Sequence, residues 1–296
     1  MAAEAYARIK GLGVCVVTTG PGGVNTLNGV VGAWLDSIPM LIISGQVKRE
    51  TIKPIKKLRQ LGVQELNIVD IVRPITKYAV TIMKPEEIKY HLERAVYLAK
   101  SGRPGPVWLD IPLDIQAAYV EKNSLFGFHP KETRSLFNKS KLVEQVDETL
   151  ELLRNSRRPV IFAGGGVRLS GAQELLLKLA ERFKIPILTA MSANDLVHSD
   201  YKFFFGRPGA FGGDRAGNFI IQNSDLLISL GARLHLWTIG FDYKNFARAA
   251  KKIIVDIDKT ELEKPTVRPD IAINTDAKEF IKEMLQQGKN LKMPRY

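Results

Sequence analysis

The sequence contains very little cysteine and no long apolar run. Its 296 residues include one cysteine, Cys15, which cannot form a disulfide within the chain. The longest apolar runs, such as the one from Met40 to Ile43, are far shorter than the roughly 18 residues that a membrane-spanning helix needs. No basic and then apolar leader opens the chain. We therefore expect a cytoplasmic protein, neither secreted with disulfides nor inserted in a membrane.

The charge is unbalanced, with 43 Lys and Arg against 31 Asp and Glu, a net charge of +12. The densest basic stretch runs from Lys48 to Arg59. No aromatic residue interleaves with it, and neither a helix-turn-helix pattern nor zinc-ligand spacing accompanies it, so we expect no nucleic-acid partner. Two interpretations remain open: a solvated basic loop, or a loop that attracts an anionic ligand or partner.

Short apolar runs rich in β-branched residues alternate with helical patterns along the chain. The predicted elements of the first half are strands 14–19, 40–44 and 107–111 and helices 26–36 and 85–99. Those of the second half are helices 142–154 and 172–183 and strands 159–163, 186–189, 226–230 and 253–256. The polar segment 121–140 follows neither period and is predicted to be a linker. The sequence thus predicts an α/β fold: two tandem doubly wound domains with mostly parallel sheets, each a three-layer α/β/α sandwich.

A glycine-rich segment, Gly20 to Asn25, follows the first predicted strand and precedes a helix. Glycines let the backbone approach a ligand closely, and a helix N-terminus supplies unpaired N–H groups. The spacing is neither that of a dinucleotide fingerprint nor that of a P-loop. On spacing alone, a ligand-binding loop and a tight structural turn are both open.

A series of motifs occurs in one order along nearly the whole chain. In the first half these are Gly20 to Asn25, Asp36 to Pro39, Ser44 to Val47, Gln64-Glu65, Pro74 to Lys77, Ser101 to Val107, Asp110 to Pro112 and Asp114 to Gln116. In the second half they are Gly164 to Gly166, Gly206 to Asn218, Asn223 to Leu227, Gly231 to Arg233 and Asp256 to Asp258. The first set resembles the pyrimidine-binding domain of thiamine-diphosphate enzymes of the acetolactate synthase type, and the second resembles their middle domain.

The resemblance implies a domain organisation and a truncation. It predicts a pyrimidine-binding domain over 1–120 whose beginning is missing, the linker 121–140, a middle domain of FAD- or nucleotide-binding type over 141–288, and a tail over 289–296. The family's catalytic glutamate would precede Met1, and Glu4 corresponds to a later position on the same helix. We therefore expect no catalytic residue in this chain, which alone should be inactive.

The resemblance also assigns cofactor residues. Thiamine diphosphate would contact Pro21, Gly22, Asn25 and Gln64. In the family, Mg²⁺ and the diphosphate are held by a third, C-terminal domain that nothing here matches; Gly212 to Asp214 belongs to the middle domain instead. FAD, which has no redox role in the reaction, would contact Arg103, Gly164, Gly165, Gly166, Thr189, Met191, Gly209, Arg233, Asp256 and Ile257. Glycines kept only for close packing are the alternative.

Two departures from the family pattern concern the substrate. Val63 stands where the family usually has phenylalanine, and Leu113 stands where a lysine is common. The implied function is a fragment of a carboligase, a transferase as in branched-chain amino acid biosynthesis, that decarboxylates a 2-oxo acid such as pyruvate and passes the acyl unit to a carbonyl acceptor. The alternatives are a carboligase acting on a keto-sugar nucleotide, and a non-catalytic nucleotide-binding half of a split enzyme. The intact enzyme is expected to be a homodimer or tetramer.

The four histidines, His91, His129, His198 and His235, lack ligand spacing. We expect no metal site in this chain.

Overall fold

The computed structural model describes residues 1–52, 57–132 and 138–291, which fold as two compact units over 1–135 and 136–296. The first unit begins with helix α1 (Ala2–Lys10). Its other elements, in chain order, are β1 (Gly13–Val17), α2 (Pro21–Asp36), β2 (Met40–Gln46), α3 (Ile68–Val72), β3 (Tyr78–Thr81), α4 (Ile88–Lys100), β4 (Pro106–Pro112) and α5 (Leu113–Gln116).

The sheet of the first unit is parallel, with strand order β1-β2-β4-β3. Alternate residues of its central strands face two apolar clusters. On one face, Ile42 and Trp108 pack with residues of α1, α2 and α3. On the other face, Leu41 and Leu109 pack with residues of α4. This period-two burial on both faces accounts for the continuous apolar runs in the sequence and produces three layers.

The second unit begins with α6 (Lys139–Asn155) and β5 (Pro159–Ala163). Its remaining elements are α7 (Gly165–Leu169), α8 (Gln173–Phe183), β6 (Ile187–Thr189), α9 (Arg215–Asn223), β7 (Leu226–Leu230), α10 (Leu236–Ile239), β8 (Lys251–Asp256), α11 (Lys259–Leu262), β9 (Ile271–Asn274) and α12 (Ala277–Gln287). The five strands form a parallel sheet in the order β6-β5-β7-β8-β9. Every residue of β5 and β7 is buried, and one apolar cluster that includes Phe162, Phe183 and Phe280 forms the core.

The predicted α/β fold class is confirmed, since both parallel sheets are flanked by helices. The boundaries differ most at α2, which begins at Pro21 rather than at residue 26. Proline suits the first helical turn because its missing N–H would find no partner there. Two strands were not predicted, β3 and β9, each at the edge of its sheet. No helix in the part of the chain that the structure describes is long and apolar enough to cross a membrane.

Candidate functional site

In the first unit, most of the predicted site residues follow the carboxyl ends of strands. Pro21, Gly22 and Asn25 follow β1, Gln64 follows β2 along the chain, and Leu113 follows β4. Because the strands are parallel, their carboxyl ends meet at one edge of the sheet, where open α/β sheets bind ligands. The structure thus supports this edge as the candidate site.

Gly20 brings the start of α2 against the segment that carries Gln64. Its φ is +60°, and a Cβ on this residue would lie 2.4 Å from the carbonyl oxygen of Gln64. Thr19 Oγ1 also lies 3.5 Å from that carbonyl oxygen. Only glycine meets both the backbone angle and the space. The Gly20 to Asn25 segment is therefore the first turn of a helix fixed next to Gln64, rather than a loop preceding the helix.

A buried carboxylate shapes the loop that carries Gln64. Glu65 accepts hydrogen bonds from the backbone N–H of Leu61 at 2.7 Å and of Gly62 at 3.1 Å. Gln64 itself has a φ of +59°, in the left-handed region. Val63 is 84% exposed and Gln64 is also exposed. The loop therefore presents an apolar and a carboxamide side chain on a closed backbone turn.

A polar network beneath this edge connects β4 to the same loop. Asp110, which is 1% exposed, accepts hydrogen bonds from Ser44 Oγ at 2.6 Å, from Gln46 Nε2 at 2.9 Å and from Thr81 Oγ1 at 3.1 Å. Gln46 Nε2 also donates to the carbonyl of Leu66, and its Oε1 accepts from Thr19 Oγ1 at 3.2 Å. Burial raises the pKa of Asp110, although these three hydrogen bonds oppose that shift. Sequence reasoning missed the network; its signal was polar residues within strands that are otherwise apolar.

Leu113, its neighbour Asp114 and Asn25 are the remaining residues of interest in the first unit. Leu113 is exposed at the start of α5, and the neighbouring Asp114 bonds Arg49 Nε at 2.5 Å, which lowers the pKa of that carboxyl. Asn25 is exposed on α2. Part of the basic stretch, 53–56, lies outside the described residues.

Arg103 does not lie with these residues. It belongs to the turn before β4, at the amino edge of the sheet, and its Nε donates to Ser37 Oγ at 2.9 Å. Lys77 supports the same turn, because its Nζ donates to the carbonyls of Leu98 and Ser101. Burial lowers the pKa of Lys77 to about 8. The structure does not bring Arg103 to the carboxyl edge, and its cofactor role stays a prediction.

In the second unit, the predicted flavin residues follow the carboxyl ends of four strands. Gly164 to Gly166 follow β5, Met191 follows Thr189 at the end of β6, Arg233 follows β7, and Ile257 follows Asp256 at the end of β8. The order β6-β5-β7 places a topological switch point between β5 and β7. Ligands of doubly wound sheets bind in the crevice at such a point.

The three glycines at this switch point have different structural roles. A Cβ on Gly164 would lie 2.3 Å from the carbonyl oxygen of Gly231, and one on Gly166 would lie 2.7 Å from Gly231 Cα. A Cβ on Gly165 would meet nothing closer than 3.7 Å. Close backbone packing thus explains Gly164 and Gly166, whereas Gly165 leaves open space.

Thr189 lies beside the glycine-rich loop 206–213, which contains Gly209: the Thr189 N–H donates to the carbonyl of Gly206 at 3.2 Å. Thr189 is 1% exposed, and its Oγ1 has no hydrogen-bond partner among the described residues. Gly209 exchanges two hydrogen bonds with the Asn218 side chain, at 2.9 and 3.2 Å. Met191 is partly exposed, and its Cε would lie 3.7 Å from a Cβ on Gly212. A buried hydroxyl without a partner is the type of feature that a bound polar group would satisfy.

Charged groups stand at the ends of β7 and β8. Arg233 Nε lies 3.4 Å from the buried carboxylate of Glu261, which also pairs with Lys264. Asp256 Oδ1 accepts the backbone N–H of Asp258 at 2.9 Å. Ile257 is partly exposed beside it. An arginine and a carboxylate at neighbouring strand ends suit a phosphate and a sugar hydroxyl respectively.

Several residues that sequence reasoning left aside now have a structural role. Asp214 caps α9 by accepting the N–H of Gly217 at 2.6 Å, so the Gly212 to Asp214 string is a helix cap. Glu4 pairs with Arg8, which also bonds Asp36 at 2.6 Å.

An aromatic cluster of Phe211, Trp237 and Phe241 stands exposed beside the glycine-rich loop; its only signal was that Phe211 interrupts a run of small residues. Within the described ranges, no three His, Cys, Asp or Glu side chains are grouped to hold a metal ion.

Comparison with known proteins identifies both units. Residues 1–71 match the family model described as "Thiamine pyrophosphate enzyme, N-terminal TPP binding domain", and residues 146–284 match "Thiamine pyrophosphate enzyme, central domain". The chain is 38% identical, over 96% of its length, to a probable acetolactate synthase large subunit of Methanocaldococcus jannaschii, of which it covers 47%. It is 36% identical to that of Methanococcus aeolicus over 97% of this chain and 47% of the relative.

The acetolactate synthase large subunit of Corynebacterium glutamicum is 35% identical, over 97% of this chain and 44% of the relative. The chain therefore spans about half the length of the curated relatives it matches. The two family models together cover more than two thirds of its residues. The chain belongs to the thiamine pyrophosphate enzymes, and it carries the N-terminal and central domains of that family.

Proposed function

We propose that this chain supplies the pyrimidine side of a thiamine diphosphate site to an acetolactate synthase-like transferase. The observation that carries the proposal is the contact of Gly20 with Gln64 at the carboxyl edge of the first sheet. It supports the proposal because Gly20 adopts a φ of +60° and packs directly against the backbone of Gln64 at the place where the resemblance puts the cofactor. When bound, thiamine diphosphate supplies the electron sink for decarboxylation of a 2-oxo acid such as pyruvate.

The chain's own residues would bind and orient around that edge. Pro21, Gly22 and Asn25 form the first turns of α2, which Gly20 fixes in place. Gln64 offers an exposed carboxamide that can both donate and accept hydrogen bonds toward a substrate carboxylate or carbonyl. Val63 and Leu113 add exposed apolar surface at the same edge, where the family more often has an aromatic and a cation. These two departures are what supports the alternative, in which the acceptor is a keto-sugar nucleotide.

The second unit is proposed to bind FAD at its switch point. Thr189 Oγ1 supplies an unsatisfied hydroxyl, Gly165 supplies open space, and Arg233 supplies a cation for phosphate. The residues present therefore fit a flavin nucleotide, although Gly164 and Gly166 are explained by packing alone. Mg²⁺ and a homodimeric or tetrameric assembly are proposed for the intact enzyme on the resemblance.

Titration of this chain with FAD, followed by flavin fluorescence, tests the second unit. We expect saturable one-to-one binding, weakened about ten-fold by Gly165→Ala and by Arg233→Gln, since each removes space or a charge-assisted hydrogen bond. Gly32→Ala, within α2 of the first unit, is the control, because its added methyl group would meet nothing closer than 3.9 Å. Equal affinity for all four proteins would contradict the flavin proposal.

The acceptor is tested on the intact enzyme, assayed with pyruvate alone and with pyruvate plus a 4-keto-sugar nucleotide. Rapid formation of acetolactate from pyruvate alone supports the acetolactate synthase reaction. Product formed only with the sugar nucleotide would instead support the alternative acceptor.

A further inference from the structure

The second unit has a cavity at the edge of its sheet opposite to the candidate flavin site. The cavity has a volume of about 380 Å³, within the range of small-molecule sites. Pro159 begins β5 and Pro186 directly precedes β6, so these two lining residues place it at the amino edge. About 13 Å of strand separates Pro159 from Ala163, next to the flavin candidates. The cavity is therefore distinct from the site proposed above.

Three cations line this cavity, and no acidic residue does. Arg157, Arg158 and Lys184 are exposed at its rim. None of them forms an ion pair with a carboxylate in the described part of the chain. The nearby Asp225 carboxylate is engaged by the backbone N–H groups of residues 157 and 158, at 2.8 and 2.9 Å, and is not a lining residue. The cavity thus presents positive side chains without acidic competitors.

Helix ends explain only part of this charge. α6, α8 and α9 all end at this edge, and cations stabilise the partial negative charge of helix C-termini. Arg158 does so directly, because its Nε donates to the carbonyl of Asn223 at 2.7 Å. Neither Arg157 nor Lys184 has a side-chain hydrogen bond of this kind among the described residues. Their charges remain available to a ligand.

Apart from Asn223, the remaining lining residues are apolar. Phe219 is 56% exposed, and its ring lies 5.5 Å from Arg215 Cζ. Ile220 and the two prolines complete the apolar lining. Phe219 thus lies on the same cavity as two cations that form no ion pair within the described ranges. The combination matches a ligand with an apolar body and an anionic head.

We propose that this cavity binds a small organic anion, an aromatic or branched aliphatic carboxylate or phosphate. The anionic group would be held by Arg157 and Lys184, and the body would pack on Phe219 and the prolines. The site is separate from the thiamine diphosphate and flavin sites, so it would act as an accessory or regulatory site. This proposal does not depend on the proposed function.

The test uses 2-naphthoate as the probe, with 2-naphthalenemethanol as its neutral counterpart and acetate as the anion without a body. Binding to this chain is measured by calorimetry and by ¹⁵N–¹H chemical shifts. We expect 2-naphthoate to bind at least about ten-fold more tightly than either comparison compound, with shifts at residues 157, 158, 160, 184, 185, 187 and 219–223. Equal affinity for the neutral compound, or shifts elsewhere, would overturn the proposal.

A double variant, Arg157→Gln with Lys184→Asn, removes both cations and preserves the backbone hydrogen bond and the backbone angle that the fold needs at these positions. The backbone N–H of residue 157 still bonds Asp225, and asparagine tolerates the φ of +53° at residue 184. We expect about ten-fold weaker 2-naphthoate binding and unchanged binding of the neutral compound. The control variant, Lys139→Gln with Lys141→Gln, removes two exposed cations at the opposite end of α6 from the cavity and should leave both affinities unchanged. Equal effects of the two variants would contradict the proposal.

Discussion

Gly20 lies directly against the backbone of Gln64, so that a Cβ on residue 20 would stand 2.4 Å from the Gln64 carbonyl oxygen. This contact joins the start of α2 to the loop after β2, two segments 44 positions apart in sequence. It fixes the helix start at which the resemblance places the cofactor's pyrimidine. The candidate site in the first unit therefore depends on one residue without a side chain.

Gly20→Ala should destabilise the first unit by roughly 2–4 kcal/mol, since both the backbone angle and the close contact oppose a methyl group. Gly102→Ala is the matched control, because Gly102 has a similar φ of +58° and its Cβ would meet nothing within 4 Å. The control should lose only about 1 kcal/mol. Urea unfolding followed by circular dichroism compares them, and equal losses would show that the contact with Gln64 is unimportant.

Asp110 should make the first unit less stable as the pH rises above about 4. Its pKa is raised by burial, so above the unfolded-state value the native state binds more protons than the unfolded state, and stability falls with pH. Asp110→Asn removes this titration, and its amide can donate to Ser44 Oγ in place of accepting. Between pH 4 and 8, the urea midpoint should therefore fall less steeply with pH in the variant than in the unmodified protein. Identical slopes would contradict the assignment.

Lys77 gives an effect of opposite sign at high pH. Burial lowers its pKa to about 8, so between about 8 and 10.4 the unfolded state holds a proton that the native state has lost. Stability should then rise with pH across this window. Lys77→Met should remove the rise in thermal midpoint, whereas Lys100→Met, an exposed lysine at the end of α4, should retain it. A variant that kept the rise would contradict the role of Lys77.

The glycines after β5 should separate by their packing. Gly166→Ala should cost about 2–4 kcal/mol in the free energy of unfolding, because its methyl group would lie 2.7 Å from Gly231 Cα. Gly165→Ala should cost less than about 1 kcal/mol, since its methyl group has space. Chemical unfolding of the two variants measures this difference. A loss as large for Gly165→Ala would mean that Gly165, too, is needed for packing.

The sequence predicted the central strands, whose two faces are both buried, and missed β3 and β9 at the sheet edges. Strand β1 is also an edge strand with alternating burial, but its run of apolar residues still predicted it. Strands β2, β4, β5 and β7 are continuous apolar runs because neighbours cover them on both sides. β3 and β9 lie at sheet edges; β3 is only partly buried throughout, and β9 alternates buried and exposed residues, so neither gives a continuous run.

The candidate site was partly predictable for the same physical reason. Parallel topology puts the residues after β1, β2 and β4 at one edge, which the resemblance anticipated. The position of Arg103 at the opposite edge and the packing of Gly164 and Gly166 on Gly231 depend on contacts between distant segments. No local pattern carries that information.

The most direct test of the proposed function is thiamine-diphosphate-dependent formation of acetolactate from pyruvate by the intact enzyme, with and without Gln64→Ala. We expect product only when thiamine diphosphate is present, and at least about ten-fold lower kcat/KM in the variant, because the exposed carboxamide would no longer contact the substrate. Gln286→Ala, which changes an exposed glutamine on α12, should retain full activity. Product independent of thiamine diphosphate, or undiminished activity of Gln64→Ala, would contradict it.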